Sequence, residues 1–348
     1  MRHVGRPAPL ILRNSPEAAR IGRCGQRREQ GKGSRMVNSR VLQIVRQFWE
    51  NAIKLLLENP KNVRDLLALA GADVVKRIDL RRVELIRTTF VERDYRHVES
   101  DVVLVAPLRR RKGERTAKRL LIYILIEHQS EPDRLMPLRS VDYVVQIFKY
   151  QVREWSKTHG SLARIRLYPV LPVVFYTGTR RWDCVGRLVD LVEMGAAFES
   201  ATPAMAPLFI SLPVISAEEL EAQGGFFGWV LRLIQQRKSR PREFQRLLNR
   251  VVQHLESMPA TERLRWLELL SYVMALVYHV REPSEWPSLQ NAIEASVQTD
   301  EHRQEVFEMR RTIADELKEE GAIRKSQQTL IRLLKRRFGD VPDELTST

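Results

Sequence analysis

Cysteine is nearly absent from this chain: Cys24 and Cys184 are the only two among 348 residues. Two thiols cannot build a disulfide framework, and their separation is not that of zinc ligands. The expected setting is a reducing cytoplasm. Long apolar runs are missing as well. No stretch reaches the roughly 20 residues that span a bilayer, so no membrane partner is expected. No Gly-rich phosphate loop is present, which excludes nucleotide chemistry of that kind. Ala8-Pro-Leu-Ile-Leu12 is too short, and broken by a proline, to serve as the apolar segment of a secretory signal. No fixed-period repeat occurs, which argues against a solenoid.

What the chain does have is positive charge. The formal net charge is +15, with 43% apolar and 29% charged residues, the balance of a water-soluble globular protein. Residues 1–35 hold nine Lys/Arg against two Glu, so +7 sits there and +8 is spread over the remainder. That mildly basic body suits an anionic partner such as nucleic acid. The first 35 residues are rich in Arg, Gly, Pro and Ser and carry no helical or strand period. They are expected to be a disordered basic tail, or an extension upstream of a start at Met36.

The rest of the chain is organised around Leu120-Leu-Ile-Tyr-Ile-Leu-Ile-Glu-His-Gln-Ser130. An unbroken apolar run of this length, rich in β-branched residues, predicts a strand buried on both faces. Alternation along it points Glu127 and Gln129 one way and His128 the other. Upstream, Ser100-Asp-Val-Val-Leu-Val105 predicts another strand with Asp101 at its start. Between them Arg109 to Arg119 forms a charged loop. Downstream, a long helix is expected from the Pro132 step to about Thr158. Its apolar stripe is Leu135, Leu138, Val141, Val145, Phe148, Val152 and Trp155, with Arg139 and Tyr143 one turn apart. Leu167 to Tyr176 then predicts a third strand, parallel to the second, with Pro169 and Pro172 confining its pairing to Val173–Tyr176 or marking a bulge. Earlier, helices are expected over 38–57 and 62–70, and a helical or mixed segment over 78–90. Residues 183–225 show no period. Helices follow over 226–238, 241–257, 261–280, 284–297 and 300–319; Gly321 ends that run, and Ser326 to Phe338 forms a last one.

The fold class expected is therefore α/β, a small mixed sheet flanked by helices, with an α-helical C-terminal region. The division expected is a tail over 1–35, a core over 36–225, a helical region over 226–320, and a basic amphipathic helix and tail over 321–348.

Asp101 and Glu127, with Gln129 beside them, make a hard-oxygen site if the two strand ends converge. Such a site suits Mg²⁺ or Mn²⁺ better than zinc. A bound water of lowered pKa can attack a phosphodiester, and the amide of Gln129 can orient a water or a phosphate oxygen. The plainer alternative is an Asp at a strand start and a buried Glu paired with Arg139. On the last helix Arg332, Lys335, Arg336 and Arg337 are candidate phosphate contacts, or the solvated face of a packing helix; the C-terminal helices are also a candidate route to a homo-oligomer. His128, Tyr278 and His279 are expected to pack or hydrogen-bond, and Cys184 has no base near it in sequence.

The blocks Asp101, Leu125-Ile-Glu-His-Gln-Ser-Glu-Pro-Asp133, Met136-Pro-Leu-Arg139 with Tyr143, and Pro169-Val-Leu-Pro-Val-Val-Phe-Tyr-Thr-Gly178 with Trp182 resemble the recombination-promoting nuclease family. That family also carries a YhgA-like transposase label and belongs to the PD-(D/E)XK nuclease superfamily. The resemblance implies a Mg²⁺-dependent (or Mn²⁺-dependent) DNA endonuclease acting in recombination or with a mobile element. It implies that Asp101 and Glu127 hold the metal and that Gln129 stands in place of the superfamily lysine. Arg139 or Lys149 would then supply the missing positive charge. Many relatives begin with a His-Asp pair before a Phe-Lys; here Trp49-Glu50 and Ile53-Lys54 stand there. The rival readings are a non-catalytic DNA-binding or oligomerising protein on the same scaffold, and an RNase.

Overall fold

β-Branched and aromatic residues dominate the segments that pair into a sheet, and the pairing follows the order of the chain. The computed structural model describes residues 42–45, 48, 52–86, 102–108 and 121–338. Its strands are β1 (Glu84–Leu85), β2 (Val102–Pro107), β3 (Leu121–Gln129), β4 (Val170–Tyr176) and β5 (Leu208–Ser211). They form one five-stranded mixed sheet in the order β1-β2-β3-β4-β5. β1, β2 and β3 are antiparallel neighbours, while β3, β4 and β5 run parallel. β3 lies at the centre, and Ile124 and Ile126 on one of its faces are fully enclosed. Burying one such side chain is worth about 1.5–3 kcal/mol.

A long helix, α4 (Met136–His159), connects β3 to β4. It follows the short helices α1 (Ala52–Leu57), α2 (Pro60–Ala68) and α3 (Asp73–Lys76). Asp133 shapes the entry to α4 by accepting from the Leu135 amide at 2.8 Å. Gly160, at φ 67°, closes it in the left-handed conformation that a Cβ disfavours. α4 covers one face of the sheet. Its Ile147 packs against Val103, and its Met136 against Val174, with Tyr143 touching both clusters. Val103 pairs with Leu125, and Val174 with Glu127, so the covered face is the one that carries Glu127 and Gln129.

The buried face of α4 is not the expected stripe. Met136, Pro137, Ser140, Val144, Ile147 and Gln151 face inward, while Leu135, Leu138 and Val145 are exposed. Two of the inward residues are polar. Gln151 is held there because its side chain both accepts from the Tyr168 amide, at 2.7 Å, and donates to its carbonyl, at 3.2 Å. A hydrophobicity pattern cannot register a buried side chain that earns its place by hydrogen bonding.

Other expectations also change. The described part of 78–90 is a 3₁₀ turn, Leu80–Arg82, leading into β1. β5 lies inside the stretch without a period, because four residues are too few to display one. β4 pairs with β3 from Val170 but with β5 only over Val173–Tyr176. Pro172, which has no N–H to give, therefore lies outside the β4–β5 ladder.

The chain forms two compact units. One, in its described part, is Leu57–Gly225. The other joins the described residues up to Leu56 to Phe226 and everything after it. The segment 36–56 was expected in the core; its described residues belong instead to the helical unit, where Phe48 stacks on His279 at 4.4 Å and meets Tyr272 at 5.3 Å. That unit contains α6 (Gly225–Gln235, whose first residue belongs to the other unit), α7 (Pro241–Glu256), α8 (Arg263–Val280), α9 (Trp286–Ser296) and α10 (Asp300–Phe338); α5 (Ala217–Gln223) lies in the sheet unit. α8 is buried almost all round, as a central helix must be. α10 is continuous through Gly321, contrary to the expected break. A glycine inside a helix costs about 1 kcal/mol against alanine and does not by itself stop it.

Candidate active site

Glu127 is the third residue from the end of β3 and is 3% exposed. A carboxylate this deep needs a cation or several donors. Its Oε1 accepts from Arg139 Nη2 at 2.5 Å and from Gln129 Nε2 at 2.6 Å. The strand's two-residue repeat places Gln129 there, and α4, packed on the same face, brings Arg139 over it. Arg139 also donates through Nη1 to Asp133 Oδ2 at 2.8 Å and through Nη2 to the Tyr143 hydroxyl at 3.1 Å. Burial works against the guanidinium's charge, but the bond to Tyr143, the charge of Glu127 and the bond to Asp133 together raise its pKa further. Burial pushes the Tyr143 hydroxyl up as well; the Glu127 charge adds to this and Arg139 opposes it.

His128 points to the other face, as expected from alternation, and its Nε2 lies 2.8 Å from the Thr177 hydroxyl. The Thr177 amide donates to the Gln129 carbonyl at 2.9 Å, tying the end of β3 to the turn after β4. Gly178 follows. A Cβ at this position would collide with the Ser130 carbonyl oxygen and with the Tyr176 ring, so only glycine fits.

Of the residues expected at the site, Glu127, Gln129 and Arg139 are brought together. Asp101 lies outside the described residues, as do Cys24, Arg109–Arg119, Trp49 and Glu50. It immediately precedes Val102, and Val102 pairs with Ile126, the neighbour of Glu127. Lys149 is ten residues beyond Arg139 on α4, about 15 Å along the axis, and cannot share its place. Arg332, Arg336 and Arg337 are exposed on α10, far in sequence from this cluster; the Lys335 side chain is outside the described residues. The residue that sequence reasoning missed is Asp133. Its signal was its position: an acid six residues before an arginine, at the entrance to the helix that carries it.

Among the described residues no three His, Cys, Asp or Glu side chains come together as a ready metal cage. No described helix is long and apolar enough to cross a membrane. The family model described as "Putative transposase, YhgA-like" matches residues 49–265. The chain belongs to that family. The matched segment holds every residue of the Glu127 cluster and both strands that frame it. The chain is also 29% identical over 126 residues to "Recombination-promoting nuclease RpnA" of Escherichia coli K12. That alignment takes in 36% of this chain and 38% of the relative, so the chain spans well under half of that protein. No solved structure matches.

Proposed function

We propose that the chain is a metal-dependent nuclease of the PD-(D/E)XK type, hydrolysing DNA phosphodiesters in recombination or with a mobile element. One observation carries this reading: a nearly enclosed glutamate lies near the end of the central strand, with an amide on its own face and an arginine bonded to it. The YhgA-like family and the printed name of the E. coli relative support it.

The donor set fits a hard cation. Glu127 and Gln129 offer oxygen only, and Asp101, next to Val102 in the chain, is the second carboxylate. Mg²⁺ is satisfied by one or two carboxylates and keeps its remaining waters, so it needs no protein cage. When bound, Mg²⁺ or Mn²⁺ lowers the pKa of a coordinated water and offsets charge on the phosphoryl oxygens. The chain's own groups do the rest. Gln129 fixes the Glu127 carboxylate through Nε2, and its carbonyl oxygen can accept from a water. Arg139 supplies the positive charge that the superfamily takes from a lysine. To release Glu127 Oε1 to a metal it need not lose its footing, because Asp133 and Tyr143 already hold it.

A second reading has an observation of its own. The Glu127–Arg139 pair is complete as an ion pair, which suits a scaffold that binds DNA without cutting it. Purified protein incubated with supercoiled plasmid and with RNA, each with Mg²⁺ or with EDTA, decides. Plasmid nicked in Mg²⁺ and intact in EDTA is the expected result. Cleavage of RNA alone makes the protein an RNase, and cleavage of neither favours the binding scaffold.

A further inference from the structure

Arg139 is shared between two carboxylates that differ in depth. Its Nη2 donates to Glu127 Oε1 at 2.5 Å and its Nη1 to Asp133 Oδ2 at 2.8 Å. The Glu127 side chain is 4% exposed, against 38% for Arg139 and 24% for Asp133. The inner carboxylate lies against the sheet and the outer one reaches water, with the guanidinium between them.

Asp133 is itself held in place. Its Oδ1 accepts from the Leu135 amide at 2.8 Å, and its backbone carbonyl accepts from the Met136 amide at 3.2 Å. It is thereby fixed to the first turn of α4, the helix that carries Arg139. Tyr143, one turn after Arg139, accepts from Nη2 at 3.1 Å. Three of the five guanidinium N–H groups are engaged in this way among the described residues, and the side chain keeps enough exposure to meet an anion from solvent.

A divalent cation on Glu127 changes the balance at Arg139. The Glu127 charge is then shared, and two positive charges close by repel the guanidinium. An arginine held by Glu127 alone would be driven out into water. A second carboxylate, anchored through α4 and not through the metal, keeps it where it is.

We propose that Asp133 is a positioning residue for the hydrolysis inferred above: it keeps Arg139 at the site, with its charge toward the phosphoryl group, when Glu127 is committed to the cation. This rests on the nuclease reading. Asp133 touches neither metal nor substrate and acts through Arg139.

Calorimetric titration of the full chain with Mn²⁺, without nucleic acid, tests this together with kcat and KM for cleavage of a linear DNA duplex in Mg²⁺ at equal folded concentration. An asparagine at position 133 still has an oxygen for the Leu135 amide, but in either orientation of its amide group the charge opposite the guanidinium is gone. Asp133→Asn should keep the Mn²⁺ dissociation constant and KM within about threefold of wild type while kcat falls at least about tenfold, because small misplacements of a reacting group are costly. Arg139→Met, which retains an apolar stem without the charge, should bind Mn²⁺ at least about threefold more tightly and cleave about 10²-fold more slowly. An Asp133→Asn protein with wild-type kcat, or one whose Mn²⁺ affinity falls in step with kcat, overturns the inference and leaves the nuclease reading standing. So does an Asp133→Asn protein that does not fold, which would make Asp133 structural, or an Arg139→Met protein that binds Mn²⁺ no better than wild type. A wild type that binds no Mn²⁺, or that leaves the duplex intact, overturns the nuclease reading and this inference with it.

Discussion

Removing Arg139 and removing Glu127 should not cost the same, although the two form one ion pair. The carboxylate side chain is 4% exposed and the arginine side chain 38%. Arg139→Ala leaves Glu127 in its enclosed position with the Gln129 amide but without the guanidinium. Breaking a buried pair in this way costs about 3–5 kcal/mol. The arginine is partly solvated, so the figure is discounted to about 2–3 kcal/mol. At roughly 2–4 °C per kcal/mol for a unit of this size, the melting temperature of the sheet unit should fall by about 5–10 °C. Glu127→Gln removes the buried charge instead. Arg139 keeps Asp133 at 2.8 Å and Tyr143 at 3.1 Å and is open to water, so the expected loss is under about 1 kcal/mol. Combining the two changes should recover most of what Arg139→Ala loses. Urea unfolding of the four proteins without divalent ions measures this. If Glu127→Gln costs as much as Arg139→Ala, or the double variant is no better than Arg139→Ala alone, the asymmetry argued from burial is wrong.

Other outcomes follow from the same geometry. Gly178→Ala should destabilise the sheet unit by roughly 1–3 kcal/mol, the range for forced overpacking, because the Ser130 carbonyl and the Tyr176 ring must both move; an unchanged urea midpoint would contradict it. Tyr143 titrates above its ordinary value in the folded protein, so folding favours the neutral phenol. The stability this contributes is fully present below about pH 10 and is lost as the pH rises through the folded value. Tyr143→Phe should therefore flatten the fall in stability above about pH 10, and an unaltered slope there would count against it. Gln129→Ala should lower the cleavage rate about 10²-fold, the usual effect of losing one oriented donor, with single-turnover kinetics as the check. Gln129→Lys should keep activity if the amide and the superfamily lysine play one part.

Much of this was legible in the sequence, and what was not has physical reasons. β3 announced itself because a strand buried on both faces is an unbroken apolar run, and its alternation placed Glu127, His128 and Gln129 correctly. The crossover through α4 followed from strand, long helix, strand. The burial of α4 did not, because Ser140 and Gln151 face inward while Leu135 and Leu138 face water. Gly321 was read as a helix end, whereas α10 carries it at modest cost. Phe48 belongs with Tyr272 and His279, a contact across more than 200 residues that no local pattern encodes. Asp133 was quoted only as the end of a motif block and given no role, for a similar reason. Its partner Arg139 is six residues away, and only the turn into α4 folds one onto the other.

Cleavage of supercoiled plasmid by the wild type and by Glu127→Gln, side by side in Mg²⁺, shows whether the Glu127 carboxylate takes part in the chemistry. Arg139 retains Asp133 in the variant, so the fold should survive and any loss of activity belongs to the carboxylate. Nicking by the wild type and none by the variant, at equal folded concentration, is the expected result. Equal rates for the two would show that the end of β3 is not where the chemistry happens.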